Sequence, residues 1–123
     1  MIMTLSQVAL GGAAGAVARY LTAMAATRTF GPGFAVGTLL VNVAGSFAIG
    51  ILFVVLAQRG NLSPLLMTGF LGGFTTFSAF SLDALKLWEA GQSAQALAYI
   101  AASVVLSLAA VALGAALARG AFA

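Results

Sequence analysis

The chain has 123 residues, of which 63% are hydrophobic and 6% charged, with a net charge of +3 and a mean hydropathy of +1.14. Soluble domains carry about 25% charged residues, so this chain lacks the polar groups to cover a water-facing surface, and the bilayer is its natural solvent. The absence of cysteine and histidine excludes disulfides, thiolate metal sites and imidazole proton transfer, and the few basic residues form no patch for nucleic acid.

Four apolar stretches follow in chain order, at roughly 4–26, 33–57, 63–88 and 94–118. Each has the twenty or so residues that a helix needs to cross a ~30 Å hydrocarbon core. The fold expected is therefore an all-α membrane protein, a single four-helix transmembrane domain over 1–123. The first stretch opens "MIMTLSQVALGG", lacks a basic n-region and runs past the length of a signal-peptide core; it reads as a membrane segment of the mature chain. Arg19 is the one charge well inside a span. It either snorkels to the interface or raises the positive potential at a vestibule mouth. The separators "TRTFGPG" (27–33), "QRGNLSP" (58–64) and "WEAGQS" (88–93) carry glycine and proline turn signals. Glycines four apart, Gly11 and Gly15, Gly33 and Gly37, Gly69 and Gly73, predict close helix contacts in lipid.

The second span places Thr38, Asn42 and Ser46 on one face at i, i+4, i+8, and the fourth does the same with Gln95, Tyr99, Ser103 and Ser107. The third offers Phe77, Phe80 and Ser81 within about 100° of arc, flanked by Thr76 and Ser78. Taken singly, the hydroxyls bond back to their own helices, Asn42 joins two helices, and the phenylalanines are core. Taken together, they form a polar path with no formal charge on it. Amide, hydroxyl and phenolic donors can solvate an anion without ionising, and a phenylalanine ring edge carries the positive part of its quadrupole. Asp83 and Glu89 fall toward the end of the third span, away from mid-depth, whereas a proton-coupled exporter needs a titratable group in the membrane.

Residues 69–81 read "GFLGGFTTFSAFS", with two glycines and two β-branched threonines near mid-span. Two readings stand. A break there frees carbonyls that must face protein, water or a dehydrated monovalent cation. A straight helix instead uses Gly72 and Gly73 for close contact. Four crossings put both termini on one side, where Arg59 and Arg119 also fall; Arg28 and Lys86 fall opposite, with Arg19 some two turns inside. Counts of two against two, or two against three, give almost no orientation bias. Insertion both ways and an antiparallel pairing follow from one reading, a topology fixed by the translocon or a partner from the other.

The stretch "GFLGGFTTFSAFS", with "GTLLVN" (37–42) and "GAVARY" (15–20), resembles the CrcB/Fluc fluoride ion channels over essentially the whole chain. The resemblance implies a fluoride-selective channel of the bacterial inner membrane that passively exports cytoplasmic fluoride and performs no enzymatic chemistry. It further implies an antiparallel, dual-topology homodimer in lipid with a structural Na+ at the dimer interface and no organic cofactor. Residue by residue, it makes Asn42 the pore asparagine and gives Phe77 and Phe80 ring edges along the pathways, with the Ser78 hydroxyl between them. Tyr99 and Ser103 become pathway positions on the fourth helix, Arg19 the vestibule arginine, and Gly72 and Thr75 the carbonyl ligands of sodium. Thr38 joins the pathway through the stripe it shares with Asn42. The chain departs from the usual pattern at Ala79, where a threonine and its hydroxyl are customary. Two other classes compete. A small dual-topology multidrug exporter needs a glutamate in its first helix, and the first span has no acid. A non-transporting assembly subunit needs no polar stripes beyond packing contacts.

Overall fold

The computed structural model describes residues 1–31, 36–58 and 60–122. All regular structure among them is helical. The elements are α1 (Ile2–Phe30), α2 (Val36–Val55), short 3-10 turns at Leu56–Gln58 and Gly60–Leu62, a wide π-helical stretch Pro64–Leu71, α3 (Gly72–Phe74), α4 (Phe77–Glu89) and α5 (Ser93–Phe122). Four helical segments are long and apolar enough to cross a membrane: α1, α2, Pro64–Glu89 and α5. They run longer than the expected spans at several ends, most clearly α1, which continues to Phe30. The expected turn at Pro32, Gly33 of the second glycine pair, and Arg59 lie outside the described residues.

Helix ends follow local chemistry. Gly31 stops α1 at φ +92°, a backbone conformation that other L residues resist, with its N–H donating to the Thr27 carbonyl at 2.9 Å. Gly91 at φ +80° turns α4 into α5, and the Gln92 N–H reaches back to the Leu87 carbonyl at 3.0 Å, the six-to-one bond of a Schellman motif.

α1 packs along the first half of the third span, and α2 along α5. The first contact joins two of the expected glycine pairs to one another. A side chain at Gly11 would strike the backbone at Leu65, Gly69 and Phe70; one at Gly73 would strike Gly12. On the other side, Gly50 abuts the Val111 carbonyl and Gly114 abuts that of Phe47. Backbones this close gain dispersion contacts that apolar lipid does not replace. Few side chains are buried, Val41 and Ala96 most completely, while Phe53, Val105, Leu108 and Leu113 are exposed as a lipid solvent permits.

The third span is broken. Thr75 (φ −87°, ψ 157°) and Thr76 (φ −153°, ψ 127°) are extended between α3 and α4. Of the two sequence readings, the break is the one realised, although it falls at the threonines, and Gly72 and Gly73 stay helical. Both hydroxyls support it. Thr75 Oγ1 donates back to the Leu71 carbonyl at 2.8 Å, and Thr76 Oγ1 caps α4 by accepting from the Ala79 N–H at 3.2 Å.

Candidate functional site

α2, the break, α4 and α5 surround a groove of about 460 Å³. Asn42 and Ser46 line it from α2, Gly72, Thr75 and Thr76 from the break, Phe77 and Phe80 from α4, and Ser103 and Ser107 from α5. Part of each polar stripe read from the sequence therefore reaches the groove together with the phenylalanine pair, whereas Thr38, Ser78 and Tyr99 do not line it. Gln95, at the end of its stripe, is exposed and does not line the groove.

Asn42 uses both ends of its amide on one residue. Its Nδ2 donates to the Thr76 carbonyl at 2.8 Å, and its Oδ1 accepts from the Thr76 N–H at 2.7 Å. The backbone groups fix which end is which. Asn42 is thus a clamp on the break, the helix-joining role weighed for it from sequence, with a single N–H left over to face the groove. The clamp has a consequence for the break. In a continuous helix the Thr76 N–H would bond the Gly72 carbonyl, and the Ala79 N–H would bond that of Thr75. Asn42 takes the first donor and Thr76 Oγ1 the second. The Gly72 and Thr75 carbonyls are left without their helical partners. Two freed carbonyl oxygens, hard and uncharged, suit a monovalent cation.

Arg19 points inward: its Nε donates to the Gly73 carbonyl at 3.1 Å. That bond ties the Arg19 side chain to the backbone of α3, just before the break. The side chain also adds a fixed positive charge beside the span's interruption.

Phe80 is buried and Phe77 exposed, with ring centroids 5.4 Å apart and planes at 59°, and Phe80 lies 5.3 Å from the Tyr99 ring. Ser103 is buried on α5, and its hydroxyl has no hydrogen-bond partner among the described residues. Such an orphan is costly unless something outside the chain meets it. Ser78 is exposed, its Oγ 3.2 Å from Thr76 Oγ1, and Ser81 bonds back to the Phe77 carbonyl at 2.9 Å. Ala79 contributes its N–H to the helix cap and no side-chain donor.

The expectation of a path free of formal charge needs correction. Asp83 accepts from Thr38 Oγ1 at 2.7 Å and from the Tyr99 hydroxyl at 3.2 Å, so one end of the polar stripes meets a carboxylate. Asp83 lies three residues beyond Phe80, on the same face of α4. That spacing was the available signal, and depth along the span hid it. Gly45, three residues beyond Asn42, lines the groove although the stripes did not single it out.

Four helices long and apolar enough to cross a membrane, an interrupted third span and a polar, aromatic-edged groove beside the interruption are features that suit a membrane transport protein. The family model described as "CrcB-like protein, Camphor Resistance (CrcB)" matches residues 6–115. Curated relatives extend the match: one from Cereibacter sphaeroides is 62% identical over 121 residues, covering 98% of each chain. One from Paracoccus denitrificans is 57% identical over 122 residues, again covering 98% of each. One from Agrobacterium fabrum is 50% identical over 125 residues, covering 98% of this chain and all of that one. Each of these relatives bears the name "Fluoride-specific ion channel FluC". The chain belongs to the CrcB family.

Proposed function

We infer that this protein is a fluoride-specific ion channel of the bacterial inner membrane, a transporter and not an enzyme. The observation that carries the reading is 62% identity across 98% of the chain to a relative of that name. The groove supplies suitable chemistry. Fluoride is a small anion that accepts hydrogen bonds strongly, and a narrow path must replace the hydration it loses. The Ser103 hydroxyl and the remaining Asn42 N–H offer donors, and the edges of Phe77 and Phe80 offer positive quadrupole. Ser78 adds an exposed hydroxyl on α4, whereas Thr38 and Tyr99 commit their O–H donors to Asp83 beside the pathway, and Arg19 raises the local potential for anions. Flow is passive, down the electrochemical gradient, with a negative-inside potential favouring export. Fluoride efflux from liposomes holding the purified protein, read with a fluoride electrode, tests the reading; efflux no faster than from empty liposomes overturns it.

The working unit under this proposal is an antiparallel homodimer inserted in both orientations, as the balanced loop charges allow. A structural Na+ on its axis is held by the Gly72 and Thr75 carbonyls of both copies. The support is the pair of carbonyls stripped of helical partners by Asn42 and Thr76. When bound, the ion supplies positive charge that ties the two interrupted spans together. Asn42 and Arg19 hold the surrounding backbone in place.

A further inference from the structure

We propose that Gly45 is a positioning residue for the conducting groove: it seats the Thr75 methyl group in the space where any other residue carries Cβ. The proposal rests on the fluoride-channel reading above. Gly45 is buried on α2, one turn beyond Asn42, and both line the groove. A Cβ built at Gly45 collides with Thr75 Cγ2, while the next atoms, Phe74 Cδ2 at 3.4 Å and Thr75 Cβ at 3.7 Å, lie at ordinary contact distance.

The methyl cannot swing aside without loss. The Thr75 N–H and Oγ1 both donate to the Leu71 carbonyl, at 3.0 and 2.8 Å, which fixes χ1 and with it the direction of Cγ2. Thr75 is also the first residue to leave helical geometry, so its carbonyl direction depends on where its backbone sits. Two α2 residues therefore set the two extended residues of the break. Asn42 grips Thr76 by its backbone, and Gly45 seats Thr75 by its methyl. An alanine at 45 must push Thr75 away from α2 or break its bond to Leu71, and either shift moves a wall of the groove.

Gly45 differs from its neighbours in a way that permits a sharp test. Gly50 and Gly114 meet backbone carbonyls across the α2–α5 contact, which no side-chain change can withdraw. Gly45 meets a methyl, and Thr75→Ser removes that methyl while keeping the hydroxyl bonded to Leu71. Fluoride efflux from liposomes and the thermal unfolding midpoint in detergent are to be measured for wild type, Gly45→Ala, Thr75→Ser and their double variant, with Gly50→Ala and Gly50→Ala/Thr75→Ser as controls. Gly45→Ala is expected to slow efflux about tenfold or more. With Thr75→Ser alone as its reference, the double variant should run about threefold or more faster than Gly45→Ala, a coupling confined to residues in contact. Gly50→Ala should lower the midpoint with no recovery on adding Thr75→Ser. Wild-type efflux in Gly45→Ala, or a double variant no faster than Gly45→Ala, overturns the proposal. If Gly45→Ala does not purify, recovery of folded double variant supports the joint and its failure to fold overturns it. If wild type itself passes no fluoride, the channel reading falls, and the joint stands or falls on whether Thr75→Ser restores the Gly45→Ala midpoint.

Discussion

Replacing Asn42 by alanine removes the only side chain among the described residues that bonds the Thr76 backbone, and the cost follows from the two contacts. The bonds at 2.8 and 2.7 Å are well formed, and both partners are backbone groups of a partly buried break. A typical hydrogen bond contributes about 1 kcal/mol net, and a buried group left unpaired costs about 1–3 kcal/mol. Loss of the clamp should therefore destabilise the fold by about 2–5 kcal/mol. The sequence alone favours a milder outcome, in which Asn42 matters more to conduction than to folding. The geometry predicts loss of both. The freed Thr76 N–H can return to the Gly72 carbonyl, closing the break toward continuous helix and withdrawing a carbonyl from the proposed sodium site. The assay pairs fluoride efflux from liposomes with thermal unfolding in detergent, followed by size-exclusion recovery. A variant with a wild-type midpoint would refute the clamp, whatever its efflux. Asn42→Asp refines the test: it keeps an acceptor for the Thr76 N–H but sets an oxygen against the Thr76 carbonyl, and it too should lose stability.

Three further outcomes are expected. Phe80→Ile keeps an apolar side chain beside Tyr99 while removing the ring edge, and should cut fluoride efflux more than about tenfold, or ~1.4 kcal/mol on the barrier, with the protein still folded; unchanged efflux would return Phe80 to a packing role. Ser103→Ala removes a buried hydroxyl that has no partner among the described residues, so stability should hold or rise while efflux falls; a clear loss of stability would show that the hydroxyl was satisfied within the protein. Asn61→Cys, at an exposed position after α2, should be labelled by impermeant reagents from both sides of the membrane in cells; labelling from one side would rule out dual insertion.

Hydropathy made the four spans legible, because the ~30 Å apolar thickness sets helix length directly. The shared faces of Asn42 with Ser46 and of Ser103 with Ser107 were legible from periodicity, since residues four apart share a helix face, and both pairs line the groove with the phenylalanines. What the stripes could not reveal was who bonds whom. Asn42 carries the same i+4 signal whether it faces an ion or grips Thr76, and only tertiary placement separates the two. The bond from Arg19 Nε to the Gly73 carbonyl likewise left no trace in the sequence pattern. Asp83 escaped notice as a pathway group because linear depth placed it near an end, whereas the hydroxyls of Thr38 and Tyr99 reach that same end. The break was one of two readings that β-branching and glycine left open, and its location at Thr75 and Thr76 depends on a hydrogen-bond exchange with α2. Gly45 had no sequence signature apart from its spacing to Asn42, since its function is an absence of atoms.

Selectivity between fluoride and chloride in one preparation tests the central claim most directly. Liposomes containing the purified protein, loaded with both anions and given a potassium gradient with valinomycin, allow both fluxes to be read with ion-selective electrodes. A donor-lined groove edged by aromatic rings predicts rapid fluoride efflux with chloride retained, since the larger and weaker acceptor gains too little to replace its hydration. Equal fluxes of the two anions, or fluoride efflux no faster than from protein-free liposomes, would contradict it.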